Sequence, residues 1–365
     1  MKRKYFLVGY TVCIVLFYSV MYLVIQFASK ENNTVIRDTL PASITTPLLS
    51  GTEPSFPENS ALSAVVLDAQ SGAVLYSKNS DSRLPMASTT KIMTAKVILD
   101  MLNTDTIVTV SKEAATMEGS SIYLSENEKI TVETLLYGLL LESGNDAATA
   151  LATACSGSAE DFAVLMNKIG KEMGLKDTNF ANPHGLTAEN HFTTAYELAF
   201  ITSTALKNPK FREIVSTRKY CAPSLDGKFT RYFFNHNKLL STYHGAIGVK
   251  TGYTEAAGRC LVSAASRDNE TYICVTLNDR NDWADHTSLL DTAFDSYDCI
   301  EIAPQKGFAV NIDGNRYINP EPVYLTVPSG INPVLSYKIE KNDDSCITEC
   351  YHEGAKLSTF YLVKE

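Results

Sequence analysis

The sequence lacks the charge pattern of a nucleic-acid-binding protein. Acidic residues outnumber basic residues by 41 to 32, and the formal net charge is −9. Three of the cations, Lys2, Arg3 and Lys4, lie at the N-terminus, and the rest of the chain has no basic stripe with interleaved aromatic residues. Because nucleic-acid binding depends on such a stripe, we expect no nucleic-acid partner.

The six histidines and eight cysteines also lack the spacing of a metal site. No His-Glu-x-x-His segment is present, and the cysteine spacings match no zinc motif. Cys13 lies in an apolar N-terminal run, and the seven cysteines that remain cannot all pair within one chain. Cys346 and Cys350 could bridge only across a turn, since four extended residues span about 13 Å. We predict no metal and no cofactor, and expect most cysteines to be buried as small apolar residues.

The N-terminus carries the clearest targeting signal. The cations at positions 2–4 precede an uncharged, mostly apolar run from Tyr5 to Ala28. Its length of about 24 residues is enough to cross a hydrocarbon core of about 30 Å, whereas the apolar region of a cleaved signal peptide usually has about 7–15 residues. We therefore expect residues 1–28 to form a single-pass anchor in the cell membrane, with the rest of the chain on the extracellular side. Secretion after signal cleavage is the alternative.

Composition divides the rest of the chain into three segments. Residues 29–60 are rich in Thr, Ser, Asn and Pro, which predicts a flexible linker. Residues 61–298 begin with two β-rich runs, continue through a mostly helical region and end in three β-rich runs and a helix. That order predicts an α+β domain in which one antiparallel sheet packs against helices. Residues 299–365 alternate β-rich runs with prolines, which predicts a small β-rich C-terminal domain.

Ser88 and Lys91 lie together at the start of a predicted helix, in the segment Ser88-Thr89-Thr90-Lys91. Residues three apart on a helix project from the same face, so the amine can reach the hydroxyl. A serine becomes a strong nucleophile when a neighbour takes its proton, and a lysine can act as that base only if its pKa falls far below about 10.4. Burial and a nearby cation, for which Lys250 is the candidate, would both lower the pKa. We predict Ser88 as nucleophile and Lys91 as base.

A second signal, Ser143-Gly144-Asn145, interrupts an apolar helical stretch from Val132 to Ala154. A glycine costs about 1 kcal/mol inside a helix, so we expect Gly144 to permit a turn that directs both polar neighbours into a cleft. There Ser143 would pass a proton between Lys91 and a leaving amine, and Asn145 would bind a backbone amide of a peptide substrate. A simple turn between two helices is the alternative.

The third signal, Lys250-Thr251-Gly252, lies on a predicted strand from Ile247 to Tyr253. Gly252 has no side chain, so a ligand backbone can approach this strand closely and pair with it. Lys250 would place positive charge near a substrate carboxylate. The backbone N–H groups of Tyr253 and Ser88 would form an oxyanion hole, in which each donor contributes about 3–4 kcal/mol. A single motif of this kind can occur by chance, but all three motifs in this order indicate a serine acyl-transfer site. We expect Thr251 to contact the substrate as well.

With these signals the sequence resembles the serine D-alanyl-D-alanine carboxypeptidases, the low-molecular-weight penicillin-binding proteins. The similarity runs from about residue 63 to residue 294 and includes the segments Asn182-Pro183-His184-Gly185-Leu186 and Asn237-Lys238-Leu239-Leu240. It implies the β-lactamase/penicillin-binding (DD-peptidase) fold, with a five-stranded antiparallel sheet and helices on both sides, for residues 61–298.

The resemblance also implies a reaction and its partners. Ser88 would be acylated by the D-Ala-D-Ala end of a peptidoglycan stem pentapeptide, and water would then free the enzyme after release of the terminal D-alanine. β-Lactam antibiotics would acylate the same serine as inhibitors. A distal arginine often helps to bind the substrate carboxylate in this family, and Arg280 is the nearest candidate; a solvated loop arginine is the alternative. Many members anchor through a C-terminal amphipathic helix, whereas the tail Lys356–Glu365 predicts a strand.

Three other functions share parts of the pattern. Class A β-lactamases carry a Glu-x-x-Leu-Asn segment that is absent here; Glu197-Leu198-Ala199 is the nearest match and lacks the pattern. A D,D-endopeptidase that cleaves crosslinked wall would use the same residues. So would a module that senses wall or β-lactam and acylates without turnover. The sequence leaves the last two open.

Overall fold

The computed structural model describes residues 54–342 and 345–365. The predicted membrane anchor, residues 1–28, and most of the predicted linker lie outside the described residues. In the part of the chain that is described, no helix has both the length and the apolar character needed to cross a membrane.

The strands of the described residues follow the predicted order, with β-rich segments at both ends of the first domain and throughout the second. They are β1 Ser63–Asp68, β2 Val74–Lys78, β3 Ile107–Thr109, β4 Lys129–Thr131, β5 Lys219–Pro223, β6 Thr230–Phe234, β7 Ala246–Thr254, β8 Gly258–Arg267, β9 Glu270–Leu277, β10 Tyr297–Ala303, β11 Ala309–Ile312, β12 Asn315–Ile318, β13 Val323–Pro328, β14 Ser336–Lys341, β15 Ser345–His352 and β16 Ala355–Lys364.

The helices begin where the sequence offers polar caps. Thr131, Ser158 and Thr194 each accept a hydrogen bond from a backbone N–H of the first turn that follows. The helices are α1 Lys91–Met101, α2 Lys112–Ala115, α3 Val132–Leu141, α4 Asn145–Ser156, α5 Ala159–Glu172, α6 Ala195–Leu206, α7 Pro209–Ser216, α8 Leu239–Thr242 and α9 Asp282–Ser296.

The predicted five-stranded sheet is confirmed. Its order is β2-β1-β9-β8-β7, and every neighbouring pair is antiparallel. The N-terminal hairpin therefore joins the three C-terminal strands through the pairing of β1 with β9. Strand β7 pairs only with β8 inside this sheet and is an edge strand. Its free edge faces the region where the serine motifs lie.

Helices cover both faces of the sheet because its central strands are apolar on both sides. On β9, Ile273 and Val275 belong to the larger core, which the helices α1 and α3 to α7 share. Tyr272 and Cys274 point the other way and pack with Leu289 of α9. Strands buried on both faces read as continuous apolar runs, which is the pattern of this segment in the sequence.

The C-terminal residues form the predicted β-rich module. One sheet has the order β11-β12-β16-β15-β14, and β10 pairs with β13 in a second sheet of two strands. The predicted strand at the C-terminus is β16. Strand β10 begins at Tyr297, so it crosses the predicted boundary between residues 298 and 299. Thr326 on β13 donates a hydrogen bond of 2.8 Å to the buried carboxylate of Asp68, which joins the module to the first domain.

The last residues of the predicted linker pack against the first domain. Phe56 lies with its ring centroid 5.0 Å from that of Tyr76. Ser60 donates from Oγ to Asp279 over 2.6 Å and from its backbone N–H to Asp285 over 2.8 Å. The ordered domain therefore begins before residue 61.

Cys346 and Cys350 both lie on strand β15 and are buried, and every cysteine in the described residues is a free thiol. No turn joins the two positions, so the condition for a bridge between them is not met. Burial raises the pKa of Cys350 to about 11, which keeps this thiol protonated and unreactive at neutral pH.

Candidate active site

Ser88 and Lys91 meet at the junction of a 3₁₀ turn, Ala87–Thr90, and helix α1. Nζ of Lys91 lies 2.9 Å from Oγ of Ser88, 2.8 Å from Oδ1 of Asn145 and 2.5 Å from the backbone oxygen of His184. The last two partners are carbonyl oxygens, which only accept hydrogen bonds. A neutral amine therefore donates its two N–H groups to them and directs its lone pair at the Ser88 hydroxyl.

Burial favours that neutral form of Lys91. The side chain is completely buried, and this burial lowers its pKa well below the usual value. The charge of Lys250 lowers the pKa further, while Asp146 acts in the opposite direction. Lys91 thus has the environment that the sequence analysis required of a general base.

The loop Asn182–Leu186 presents the His184 carbonyl to Lys91. Asn182 accepts from the backbone N–H of Gly185 and donates to the backbone oxygen of Leu186, which closes the loop on itself. Gly185 has a φ of 92°, and a Cβ at this position would lie 2.0 Å from the backbone oxygen of Ala87. Only glycine permits this contact between the loop and the turn that carries Ser88.

The segment Ser143-Gly144-Asn145 forms the expected turn between α3 and α4, and Gly144 permits it by its small size rather than by a left-handed conformation. Ser143 takes the left-handed conformation, with φ of 61°, whereas Gly144 has φ of −57°. Glycine is required at 144 for space, because a Cβ there would lie 2.7 Å from Oδ1 of Asp146. Ser143 lines the same cleft as Ser88.

Asn145, predicted to bind a backbone amide of the substrate, is buried beneath the residues that line the cleft. Its Oδ1 accepts from Lys91, and its Nδ2 donates to the backbone oxygen of Glu118 over 2.8 Å. The amide therefore orients the base and ties the 118–120 segment to α4, which leaves one N–H of the side chain for other partners.

Asp146 is a site residue that the sequence analysis did not single out. Its carboxylate accepts from Oγ of Ser121 and from the backbone N–H groups of Ile122 and Leu124. These bonds hold the loop that carries Ser120 into the cleft wall. An aspartate inside the first turn of a helix suggests a favourable charge at the N-terminus, but nothing in the sequence indicates which loop it binds.

The edge strand β7 borders the cleft through Thr251, Gly252 and Tyr253. A Cβ at Gly252 would lie 3.0 Å from the backbone nitrogen of Ser88, so the strand approaches the 3₁₀ turn closely. Lys250 is buried, its Nζ donates to the backbone oxygen of Thr251 over 2.8 Å, and burial lowers its pKa to about 7. The structure thus brings all three predicted motifs together around Ser88.

The cleft has a volume of about 500 Å³. Besides the predicted residues, its wall includes side chains that the three motifs do not contain. They are Ser120, His236, Arg259, Cys260, Asp282 and Trp283.

The arginine at the cleft is Arg259. It lies on β8 opposite Tyr253, and Asp282 holds its guanidinium through two bonds, from Nε to Oδ2 over 3.0 Å and from Nη2 to Oδ1 over 2.9 Å. Arg280, the arginine singled out in the sequence, is exposed and is not among the residues that line the cleft. Arg259 was missed because its position depends on strand pairing rather than on a local motif.

Comparison with known proteins agrees with this geometry. A family model described as D-alanyl-D-alanine carboxypeptidase matches residues 50–281. The chain belongs to this family. D-alanyl-D-alanine carboxypeptidase DacF of Bacillus subtilis is 41% identical over 325 residues, which are 84% of this chain and 82% of the relative. A D-alanyl-D-alanine carboxypeptidase of Streptomyces sp. is 38% identical over 64% of this chain and 84% of the relative.

Solved structures place the fold within the penicillin-binding proteins. The Streptomyces K15 DD-transpeptidase is 36% identical, with a TM-score of 0.63 over 66% of this chain and 99% of that chain. Penicillin binding protein 5 from Haemophilus influenzae is 25% identical, with a TM-score of 0.74 over 85% of this chain and 98% of that chain. The second match covers more of this chain than the first domain contains, so it extends into the β-rich module. This member of the carboxypeptidase family is therefore a serine peptidase with the predicted fold.

The pKa of Lys91 should determine the pH below which the acylation rate falls, which is the acid limb of the pH–rate profile. Below that pKa the amine is protonated and cannot accept the Ser88 proton, so the acylation rate should fall about tenfold per pH unit. Lys250→Met removes a neighbouring cation, which raises the pKa of Lys91 and should move the acid limb to higher pH. The measurement is the rate of labelling by a fluorescent penicillin against pH.

Lys96→Met is the matched control for this experiment. Lys96 lies on the same helix but pairs with Asp100 at the surface, so its loss should leave the acid limb in place. An acid limb that stays in place or moves to lower pH in Lys250→Met would contradict the coupling between the two lysines.

Proposed function

We propose that the chain removes the terminal D-alanine from peptidoglycan stem peptides with Ser88 as nucleophile and Lys91 as general base. The observation that carries this assignment is the position of Nζ of Lys91, which is 2.9 Å from Oγ of Ser88 and has two carbonyl acceptors for its N–H groups. Lys91 takes the hydroxyl proton while Oγ attacks the carbonyl carbon of the penultimate D-alanine. The C–N bond then breaks, and the acyl group stays on Ser88.

The leaving D-alanine needs a proton on its nitrogen. Ser143 lines the cleft beside Ser88 and carries a hydroxyl that can both accept and donate. We assign to it the relay of the proton from Lys91 to the amine. Water then attacks the acyl-enzyme, with the same lysine as base, and releases the shortened peptide.

The substrate backbone is expected to lie along the edge of β7. Edge strands offer unpaired N–H and C=O groups to an extended peptide, and Gly252 leaves the space for its approach to Ser88. The N–H groups of Ser88 and Tyr253 would bind the oxyanion. β-Lactams would enter by the same route and acylate Ser88.

Arg259 is proposed to bind the terminal carboxylate of the substrate. Burial lowers the pKa values of the Lys91 and Lys250 amines, which disfavours the charged form of each. The hydrogen bonds to Asp282 raise the pKa of Arg259, so this side chain keeps its charge at the cleft. With two of its donors held by Asp282, the guanidinium still has N–H groups free for an anion.

Membrane attachment is a second part of the proposal and rests on the sequence. The apolar run from Tyr5 to Ala28 is long enough to cross a bilayer, and the cations before it favour a cytoplasmic N-terminus. A domain tethered in this way would reach the cell wall from the outer face of the membrane.

Ser88→Ala should lower D-alanine release from a soluble pentapeptide ending in D-Ala-D-Ala by at least about a thousandfold, because no acyl-enzyme can form. Covalent labelling by penicillin should also disappear. Ser120→Ala, which changes another cleft serine, should retain the label. Labelling that persists in Ser88→Ala would refute the nucleophile assignment. Stable labelling of the native protein without D-alanine release would indicate a sensor.

Arg259→Ala should raise KM for the pentapeptide by about ten- to a hundredfold, the worth of a hydrogen bond between charged groups. A pentapeptide amide, which has no terminal carboxylate, should be processed equally by the native protein and the variant. Arg280→Ala is the matched comparison and should change KM by less than about threefold. The reverse order of effects would assign the carboxylate to Arg280.

The protein from a membrane fraction should retain the N-terminal residues Lys2, Arg3 and Lys4, which mass spectrometry of the intact N-terminal peptide can detect. Retention is expected because a transmembrane anchor is not removed. A mature N-terminus near Ser29 would show that the apolar run is a cleaved signal peptide.

A further inference from the structure

The hairpin of β5 and β6 carries two large aromatic side chains on its outer face. Tyr232 and Phe234 are 55% and 53% exposed. Lys219 lies opposite Phe234 in the strand register, and its Nζ is 5.0 Å from the Tyr232 ring centroid and 5.4 Å from that of Phe234. We call Lys219, Tyr232 and Phe234 the hairpin platform.

The inner face of the hairpin packs against the first domain. Phe233 and Ala222 are buried in the main core, and Tyr220 stacks on Tyr137 at a centroid distance of 3.6 Å. In the described part of the chain, β5 and β6 pair with each other and with no further strand. More than half of the surface of each outer aromatic side chain is therefore left in water, and exposed aromatics of this kind are typical of recognition surfaces.

The platform is continuous with the active-site cleft. The backbone N–H of Phe234 donates to Oε1 of Glu142 over 2.6 Å, and Oε2 of Glu142 lies 3.3 Å from Nε2 of His236. His236 lines the cleft together with Ser88. Glu142 therefore links the strand that carries Phe234 and Tyr232 to a residue of the cleft wall.

A groove lies at the far end of the hairpin. It has a volume of about 580 Å³, and its lining includes Asn127, Leu225 and Phe229. Strand β6 runs from this groove to the cleft, and its five residues span about 13–17 Å. A cleft, a platform and a groove in sequence suit a long polymer better than a small molecule.

We propose that the hairpin platform binds the amino-sugar rings of the glycan strand that carries the stem peptides; the proposal rests on the proposed function. One face of a sugar ring is made of C–H groups and stacks on an aromatic ring, while its hydroxyl and amide groups stay in water. Tyr232 and Phe234 alternate along β6 and so present two rings about 7 Å apart on one face. Lys219 adds a donor for hydroxyl and carbonyl oxygens between them.

Charge favours this ligand over a lipid surface. The protein has a net charge of −9, which opposes contact with an anionic membrane, and the platform offers one lysine. The wall polymer is also the molecule that lies beside the cleft whenever a stem peptide occupies it. Binding of the glycan near the site would raise the effective concentration of the attached peptide.

The test compares one reaction on two substrates. Tyr232→Ala should raise KM about tenfold for D-alanine release from purified polymeric peptidoglycan, the worth of about one aromatic contact. The same variant should change KM for a soluble pentapeptide by less than twofold. Tyr361→Ala is the matched control, because Tyr361 is a tyrosine of similar exposure, 53%, on the C-terminal module, and it should affect neither substrate. Tyr232→Phe keeps the ring and should retain at least half of the native activity on the polymer.

A binding experiment separates the platform from catalysis. The Ser88→Ala protein should sediment with glycan strands that have been stripped of their peptides. A variant that carries Tyr232→Ala and Phe234→Ala in addition to Ser88→Ala should stay in the supernatant. Unchanged melting temperatures will show that the variants are folded. Equal losses on both substrates, no loss on the polymer, or binding to phosphatidylglycerol vesicles in place of glycan would overturn the proposal. If the native protein releases no D-alanine from the soluble peptide, the proposed function fails, whereas glycan sedimentation still decides the platform.

Discussion

The burial of the Lys91 amino group determines what the surrounding structure must supply. An ammonium ion without an anionic partner would lose several kcal/mol of hydration in this position, so the neutral amine is favoured. The neutral amine then needs two acceptors and one hydroxyl. Asn145 at the start of α4, the His184 carbonyl in a loop and Ser88 in the 3₁₀ turn provide them. Because these segments are far apart in the sequence, the base exists only when the whole domain is folded.

Two glycines contact the turn of Ser88, the proposed nucleophile, from opposite directions. The turn that carries Ser88 contacts the loop at Gly185 on one side and strand β7 at Gly252 on the other. A Cβ at either position would meet backbone atoms rather than a flexible side chain, so neither neighbour could move aside cheaply. Backbone contacts hold Ser88 more rigidly than side-chain packing would, which is what a nucleophile beside an oxyanion site requires. The exposed edge of β7 is thereby kept beside the reacting hydroxyl.

The parts of the site that could be predicted from the sequence are those whose chemistry is local. Ser88 and Lys91 are one helical turn apart, and the Lys250 motif lies on a strand with a clear apolar pattern, so each could be located without knowing the fold. The His184 carbonyl could not be found in this way, since every residue has a carbonyl and only the tertiary structure selects one. The positions of Asp146 and Arg259 in the site also depend on tertiary structure. Asp146 binds the loop at residues 121–124, and Arg259 lies opposite Tyr253 of β7. The sequence predicted the turn at Gly144 but not the reason for the glycine, because a glycine required for space looks the same in a sequence as one required for a positive φ.

In the proposed mechanism the cleft needs both a neutral base and a charged group that binds the substrate carboxylate. Its two buried lysines cannot easily fill both roles. Burial lowers the pKa of each, and the charge of Lys250 lowers that of Lys91 as well. The burial that favours the neutral form of Lys91, the proposed base, also leaves Lys250 only partly protonated near pH 7. An arginine avoids this conflict because its guanidinium stays charged even where a lysine would not. Arg259, which Asp282 orients in the cleft wall, therefore keeps its charge beside the buried lysines and suits the carboxylate-binding role proposed for it.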